Sequence, residues 1–215
     1  MTIKQFEFNP FPVNTYILYD DTNECALIDA GMFVEKEREE LSSFIESNNL
    51  QIKHLLNTHL HFDHLLGSPY IQKKYGIKTK THEGDLFLLD RVKNQAALFG
   101  LPMEDDEISV DELLKDGDTV TFGNTKLHVI HVPGHSPGSL VFYSEADRCL
   151  FSGDVLFRRS IGRTDLPGGN YDELITGIRN KLLTLPEDVS VYSGHGPKTS
   201  IEFEKRHNPF LNAKA

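Results

Sequence analysis

Three histidines and one aspartate fall within six consecutive residues, His59-Leu60-His61-Phe62-Asp63-His64. The preceding run, Leu55-Leu56-Asn57-Thr58, is typical of the end of a buried strand, and Leu65-Leu66-Gly67 begins a helical pattern. A loop between a strand and a helix can bring several side chains together on a rigid scaffold. Because imidazole and carboxylate groups this close together have few uses other than binding metal, the segment predicts a metal site.

Three later turns combine glycine with a candidate ligand, and each follows an apolar run that is typical of a strand. They are His131-Val132-Pro133-Gly134-His135-Ser136-Pro137-Gly138, Leu150-Phe151-Ser152-Gly153-Asp154 and Tyr192-Ser193-Gly194-His195-Gly196-Pro197. Glycine beside a ligand lets the backbone pass close to a metal and adopt a positive φ. Imidazole and carboxylate ligands without thiolate suit zinc, iron or manganese, and positions left open for water are typical of a catalytic site.

The chain alternates predicted strands and helices in two similar halves. In the first half, strands are predicted over 2–8, 13–19, 25–30, 52–57 and 77–81, and helices after Gly31, over about 64–75 and over about 85–99. The acidic stretch 100–111 is predicted to be a solvated loop. In the second half, strands are predicted over 119–122, 126–132, 139–144, 149–152 and 189–192, and helices over 171–182 and 201–206. This order predicts an α/β fold, in which two sheets pack face to face with helices outside.

Composition limits the compartment and the partners. With 32 acidic and 22 basic residues, the net charge of −10 lacks the basic footprint that a nucleic-acid binder needs. No apolar run approaches the roughly 20 residues of a membrane span, and the N-terminus lacks the apolar core of a signal peptide. Cys25 and Cys149 lie far apart in apolar runs, which predicts buried reduced thiols. We therefore expect a cytoplasmic enzyme that acts on a small molecule, with neither nucleic acid nor membrane as partner.

The ordered motifs resemble those of the metallo-β-lactamase-fold hydrolases, and within that superfamily they are most similar to glyoxalase II (hydroxyacylglutathione hydrolase). The resemblance extends from the early strands to Gly194-His195-Gly196. It implies a four-layer αββα sandwich with two mixed sheets, formed as one domain over residues 1–215. Long glyoxalase II enzymes carry a helical C-terminal domain that supplies part of the glutathione site. This chain resembles the short branch, which lacks that domain.

The resemblance also implies a binuclear centre of two divalent metal ions, zinc or alternatively iron or manganese. The implied ligands are His59, His61 and His135 for one metal, Asp63, His64 and His195 for the other, and Asp154 as the bridge between them. Asp29 would accept a hydrogen bond from a liganding histidine and so fix the orientation of its ring. Asn57 and Thr58 would shape the loop without binding metal.

The activity implied by the resemblance is the hydrolysis of a small acyl thioester such as lactoylglutathione. A hydroxide that bridges two metal ions, formed from water whose pKa falls from ~15.7 to near 7, would attack the carbonyl carbon, and Asp63 would orient it. In glyoxalase II, a basic residue and a tyrosine contact glutathione within the segment that here is Gly162-Arg163-Thr164-Asp165. Arg163 takes the place of the basic residue and is a candidate anchor for a substrate carboxylate. Asp165 stands where the tyrosine would be, which is a departure from the family pattern.

Two other activities are open at this point. Persulfide dioxygenases share the His-x-His-x-Asp-His loop, and the resemblance implies that they hold a single iron on the equivalents of His59, His135 and Asp154. A lactonase or β-lactamase would use the same ligands to hydrolyse other carbonyl compounds. Metal stoichiometry and a panel of acyl donors distinguish these activities from thioester hydrolysis.

Overall fold

The computed structural model describes residues 1–101, 103 and 107–212. The predicted acidic loop at 100–111 therefore falls partly outside the described residues. Within these ranges, the chain forms two six-stranded mixed sheets and one short separate hairpin, with helices on the outer faces. The arrangement follows from how each pair of neighbouring strands is connected.

The first sheet combines an antiparallel half with a parallel half. Its strands, in spatial order, are β1 (Thr2–Phe8), β2 (Val13–Tyr19), β3 (Glu24–Ile28), β4 (Gln51–Leu56), β5 (Thr79–Thr81) and β6 (Val110–Leu113). Short turns join β1 to β2 and β2 to β3, which pair antiparallel, whereas β3 to β6 pair in parallel. Parallel neighbours need crossover connections, and these contain α1 (Glu35–Ser47), α2 (Ser68–Tyr75) and α3 (Leu86–Leu98).

The second sheet is mostly antiparallel. The later strands are β7 (Thr119–Phe122), β8 (Thr125–His131), β9 (Leu140–Ser144), β10 (Cys149–Gly153), β11 (Leu156–Phe157), β12 (Ser160–Ile161), β13 (Ser190–Ser193) and β14 (Thr199–Ser200). β11 and β12 pair as the hairpin, and the other six follow the order β14-β13-β10-β9-β8-β7. Its one parallel pair, β10 and β13, is connected through α4 (Tyr171–Gly177), and the described chain ends with α5 (Ile201–His207) and α6 (Pro209–Asn212).

Three apolar layers hold these elements together. Between the sheets, side chains of the first sheet meet those of the second: Tyr16, Ile28 and Leu56 with Val129, Phe142 and Phe151. The other face of the first sheet packs on α1 and α2 through Leu27, Leu55, Leu41, Ile45 and Ile71. The other face of the second sheet packs on α4 and α5 through Val141, Val191, Leu174 and Ile201. Because neighbouring residues of a strand point to opposite faces, each sheet contributes side chains to two of these apolar layers. The predicted αββα sandwich is confirmed.

The structure differs from two of the element predictions. The helix predicted from residue 64 is instead a single 3-10 turn at Phe62–His64 followed by α2 from Ser68, since the Gly67 N–H donates to the Ala30 carbonyl (2.8 Å) and holds the loop against β3. β6 begins within the stretch predicted to be a loop and extends two residues beyond it. Its side chains are mostly exposed, so this edge strand carries no alternating apolar pattern that the sequence could reveal.

The predicted state of the two cysteines is confirmed, because Cys25 and Cys149 are free and buried. Cys25 lies in β3 and packs toward α1, whereas Cys149 begins β10 and packs between the sheets. Among the described residues, no helix combines the length and the apolar character needed to cross a membrane.

Candidate metal centre

The candidate ligands lie on loops at one edge of the sandwich, where strands of both sheets end. The loop after β4 carries the His-rich segment, and the loops after β8, β10 and β13 carry His135, Asp154 and His195. Backbone hydrogen bonds tie these loops together, from Leu140 N to the Thr58 carbonyl (2.7 Å) and from Gly194 N to the Gly153 carbonyl (2.8 Å). A Cβ on Gly194 would collide with Asp154 Oδ1, so only glycine allows this approach.

Three buried imidazoles form the first group of the cluster. His61 Nδ1 lies 2.9 Å from His135 Nε2, which in turn lies 3.3 Å from His59 Nε2. All three side chains are nearly excluded from solvent. The ligand atoms of this trio all lie within 4.8 Å of one another, close enough to share one ion.

A second group contains one carboxylate and two imidazoles. His64 Nε2 lies 3.2 Å from His195 Nε2, and Asp63 Oδ2 lies 3.4 Å from that same His195 atom. The ligand atoms of Asp63, His64 and His195 also lie within 4.8 Å of one another. This trio is more open to solvent than the first, because Asp63 and His195 are only partly buried.

Asp154 lies between the two trios. One carboxylate oxygen, Oδ2, is 3.6 Å from His135 Nε2 and 3.5 Å from His195 Nε2. The other, Oδ1, is 3.5 Å from His64 Nε2. A single carboxylate thus reaches ring nitrogens of both groups, which is the geometry that a bridging ligand requires.

The donor atoms of this cluster fit divalent metal ions. Asp154 Oδ1 is buried and has no hydrogen-bond partner, although its neighbours are polar. Burial, reinforced by the nearby His135, lowers the pKa of His61 to about 3, and burial with His64 nearby holds the pKa of His59 well below its usual value. Neutral imidazoles whose ring nitrogens face one another cannot all hydrogen-bond, so a cation is the partner that satisfies their lone pairs.

In four of the five histidines of the cluster, the ring nitrogen that points away from the other ligands meets an oxygen acceptor, whereas His61 turns Nδ1 inward and its buried Nε2 has no hydrogen-bond partner. The pairs are His59 Nδ1 with Thr58 Oγ1 (3.1 Å), His64 Nδ1 with Asp29 Oδ2 (3.0 Å), His135 Nδ1 with the Arg163 carbonyl (2.9 Å) and His195 Nδ1 with the Phe11 carbonyl (2.7 Å). An acceptor at Nδ1 places the proton there and leaves the Nε2 lone pair facing the cluster. This is the tautomer that metal binding through Nε2 needs.

The Asp29 carboxylate contacts both halves of the cluster. It accepts from the His64 ring directly and also from Thr58, through the backbone N–H (2.8 Å) and the hydroxyl (2.7 Å). Since the Thr58 hydroxyl donates to Asp29, it is free to accept from the His59 ring. Asp29 lies just beyond β3 with φ of 52°, in the left-handed region, which aims its side chain along the sheet edge toward these partners.

Asp85 is a structural member of the site that the sequence did not single out. Its side chain, fully buried, accepts from Gly138 N (2.6 Å), from Ser136 Oγ (2.7 Å) and from Leu60 N (3.1 Å). Burial raises the pKa of this carboxyl above its usual value, although the three donors oppose the rise. Asp85 connects the His-rich loop to the loop of His135. In the sequence it precedes a predicted helix, where an aspartate is an ordinary cap.

A cleft of about 310 Å³ opens beside the cluster, lined by His61, Asp63, His135, Asp154 and His195 together with Phe11, Phe62, Gln95, Phe99, Arg163 and Leu166. Arg163 therefore lies at the site. Its guanidinium makes a bidentate ion pair with the carboxylate of Asp165, with N–O distances of 2.8 and 2.7 Å. The guanidinium lowers the pKa of Asp165 to about 2, so the carboxylate is ionised and partnered at neutral pH.

The five other histidines lie outside the cluster: His54, His82, His128, His131 and His207. The rings of His82 and His131 stack with centroids 3.9 Å apart, and His131 Nε2 donates to the Pro137 carbonyl (2.8 Å). His54 Nε2 donates to the Thr121 carbonyl (2.8 Å) at the edge of the two sheets.

Known proteins resemble this chain along its whole length. The family model of the metallo-beta-lactamase superfamily matches residues 8–195. The chain is 38% identical to hydroxyacylglutathione hydrolase GloC of Haemophilus influenzae over 216 residues, which covers 100% of each protein. Crystal structures that resemble it include the BLEG-1 B3 metallo-beta-lactamase (TM-score 0.87, 38% identity, 99% of this chain and 100% of that one). Another is TTHA1623 in a di-iron-bound form (TM-score 0.86, 34% identity, 97% and 100%).

Proposed function

Because the chain belongs to the metallo-beta-lactamase superfamily, we propose that it is a cytoplasmic, metal-dependent hydrolase of small acyl thioesters such as hydroxyacylglutathione. One observation carries this proposal: seven imidazole and carboxylate side chains form two adjoining trios joined by Asp154, beside an open cleft. The likeness to GloC supports the choice of thioester among the carbonyl compounds that such a centre could hydrolyse.

We assign the ligands in two trios with one bridge, the division that the family resemblance implies, although the ligand atoms of His59, His64 and Asp154 also lie within 4.8 Å of one another. One ion would be held by His59, His61 and His135, the other by Asp63, His64 and His195, and Asp154 would contact both. The donor set suits zinc, and the di-iron form of TTHA1623 makes iron a real alternative. When bound, such ions lower the pKa of water and polarise a carbonyl oxygen.

The chain's own groups orient the reactants. Although burial opposes ionisation, the His64 imidazole lowers the pKa of Asp63, so that its carboxylate accepts hydrogen bonds at neutral pH. We assign Asp63 the role of orienting the attacking water toward the carbonyl carbon. A C–O bond forms, the C–S bond breaks, and the products are a carboxylate, a thiol and a proton. Because a thiolate (thiol pKa ~8.5) leaves without much acid assistance, no separate proton donor is required.

Arg163 is the proposed anchor for an anionic group of the substrate. Arg163 lines the cleft, and its backbone carbonyl positions the His135 ring. Because the side chain already pairs with Asp165, a substrate carboxylate has to share or replace that partner. The contribution of Arg163 to binding is therefore smaller than that of an unpaired arginine.

Metal analysis combined with lactoylglutathione hydrolysis tests the proposal directly. We expect two metal ions per chain, and release of thiol that is lost on chelation and restored by adding metal. Asp154→Asn should lose both metal and activity, whereas His207→Gln, an exposed histidine on α5, serves as the matched control and should lose neither. A protein with two ions that hydrolyses no thioester would contradict the proposal.

Two further activities each have a specific observation in their favour. The likeness to the BLEG-1 metallo-beta-lactamase favours hydrolysis of a strained ring carbonyl, and rates on lactones and β-lactams would reveal it. The closeness of His59, His135 and Asp154 favours a single iron that supports oxidation of a persulfide. One iron per chain, with oxygen uptake on a persulfide, would establish that activity in place of the hydrolase.

A further inference from the structure

Three phenylalanines form one side of the cleft. The rings of Phe62 and Phe99 stack in parallel with centroids 5.3 Å apart, and Phe11 meets each of them edge-on at 5.2 Å. We call Phe11, Phe62 and Phe99 the aromatic wall. Phe62 is only partly exposed, but the Phe99 side chain is 60% exposed. An apolar ring with this exposure, held in a stacked arrangement, presents a flat surface to whatever enters the cleft.

The aromatic wall is attached directly to the candidate ligands. Phe62 lies between His61 and Asp63 in the chain, and the Phe11 carbonyl accepts the hydrogen bond of His195 Nδ1. These connections tie the backbones of Phe11 and Phe62 to the ligands, and Phe99, at the end of α3, contacts both of their rings. Because the rings and the cluster line the same cleft, a substrate whose carbonyl carbon lies at the cluster can place one of its two substituents against the rings.

The charges of the cleft favour an apolar group there over an anionic one. Among the described residues that line the cleft, Arg163 is the one cation, and Asp165 neutralises it. The remaining lining away from the cluster is the wall itself together with Gln95 and Leu166.

We propose that the aromatic wall binds an aryl or branched aliphatic group attached to the scissile thioester, so that apolar thioesters are the preferred substrate class. The claim that these compounds are substrates rests on the proposed hydrolase function. The claim that the wall binds an apolar group does not. In the reaction, water adds to the carbonyl carbon and the C–S bond breaks, and the products are a carboxylate, a thiol and one proton. The apolar group belongs either to the acyl portion or to the thiol portion.

A kinetic panel distinguishes these two sources. The acyl arm compares phenylacetylglutathione with acetylglutathione, and the thiol arm compares S-benzyl thioacetate with S-methyl thioacetate. In the arm whose ring binds to the wall, we expect kcat/KM for the aryl compound to exceed that of its partner at least about 10-fold. Apolar pockets produce effects of this size. Equal values within both arms would overturn the inference.

Phe99→Ala tests the wall without endangering the fold, because the side chain is mostly exposed. This variant should reduce the aryl preference to less than about 3-fold, and Phe99→Leu, which restores apolar area, should recover part of it. The matched control is Phe210→Ala, which removes another exposed phenylalanine, on α6 and outside the cleft lining, and should keep the full preference. An aryl preference that survives in Phe99→Ala would refute the assignment.

Equilibrium binding separates failure of this inference from failure of the hydrolase proposal. Titration calorimetry on the metal-loaded protein compares S-benzylglutathione with S-methylglutathione, and phenylacetate with acetate, none of which can be hydrolysed. If the protein hydrolyses no thioester, the proposed role of the wall is still supported when the aryl ligand binds 10-fold more tightly than its methyl counterpart and loses that advantage in Phe99→Ala. Hydrolysis without any aryl preference, in rates or in binding, supports the hydrolase but rejects the wall.

Discussion

Substitution of Asp85 by asparagine should destabilise the protein although it changes only one atom of the side chain. The carboxylate accepts at both oxygens, from Gly138 N at Oδ1 and from Leu60 N and Ser136 Oγ at Oδ2. An asparagine amide offers one acceptor oxygen and one NH2 group. The Ser136 hydroxyl can rotate to accept from that NH2, but a backbone N–H cannot. Whichever way the amide is oriented, one of the two buried N–H groups loses its acceptor.

The magnitude follows from that single unsatisfied donor. A buried N–H without a partner costs about 1–3 kcal/mol, and relief of the carboxylate's desolvation, which is what raises the pKa of Asp85, offsets part of it. We therefore expect the free energy of unfolding to fall by roughly 1–2 kcal/mol for Asp85→Asn. Asp85→Ala removes the acceptor from all three donors and should cost about 3 kcal/mol or more. Ser136→Ala, which removes one hydroxyl donor, should cost about 1 kcal/mol or less.

Urea denaturation of the metal-depleted proteins at pH 7 measures these differences, with equal slopes required for a two-state comparison. Asp90→Asn, an exposed aspartate on α3, is the matched control and should change stability by less than about 0.5 kcal/mol. Metal affinity, measured by competition with a chelator, should fall as well, because Asp85 holds the backbone beside His61 and His135. An Asp85→Asn variant with the wild-type urea midpoint and wild-type metal affinity would refute this reasoning.

Four further substitutions test other parts of the structure. Asp154→Asn should reduce the metal content measured by elemental analysis and abolish hydrolysis, because the proposed bridge loses its charge; two retained ions with full turnover would remove Asp154 from that role. Asp29→Asn should weaken metal binding about 10- to 100-fold, as measured by competition with a chelator, because an amide cannot accept from both the His64 ring and Thr58. An unchanged affinity would show that Asp29 does not position the His64 ring. Arg163→Ala should raise KM for lactoylglutathione with little change in kcat, and an unchanged KM would exclude Arg163 from substrate binding. Burial raises the pKa of Asp20, but hydrogen bonds from Thr22, Thr125 and Asn124 together outweigh it and lower the pKa to about 2. The stability that Asp20 adds is therefore present above its unfolded pKa of ~3.9 and is lost as the pH falls toward 2. Urea titrations at pH 6, 4 and 3 should accordingly show the difference between wild type and Asp20→Asn shrinking, and a constant difference would contradict that pKa.

Local sequence determines those parts of the protein that depend on neighbouring residues. Alternation and helical periodicity predict most strands and helices close to their observed bounds, as for β1, β2 and α3. The segment His59 to His64 places four possible ligands on one short loop whatever the rest of the chain does. The weakly patterned edge strand β6 escapes such prediction, because strand formation there depends on pairing with β5 and not on its own apolar residues.

Tertiary structure decides everything that depends on groups distant in the chain. Nothing in the local patterns around His135, Asp154 and His195 shows that they converge; the resemblance implied it, and the paired ends of strands from two sheets bring them together. Asp85 lies in the connection between β5 and α3, and folding buries its carboxylate between the His-rich loop and the loop of His135.

The same distinction explains the cleft. The sequence marks Arg163 as a cation near the site, but only the folded chain shows that Asp165 occupies its guanidinium. Phe11 and Phe99 are ordinary apolar residues in the sequence, and only the packing of distant loops places them against Phe62 beside the ligands. The sequence by itself therefore determined the class of chemistry, since ligand types are local. The surroundings that select a substrate were decided by long-range packing, which sums many weak contacts that no short segment encodes.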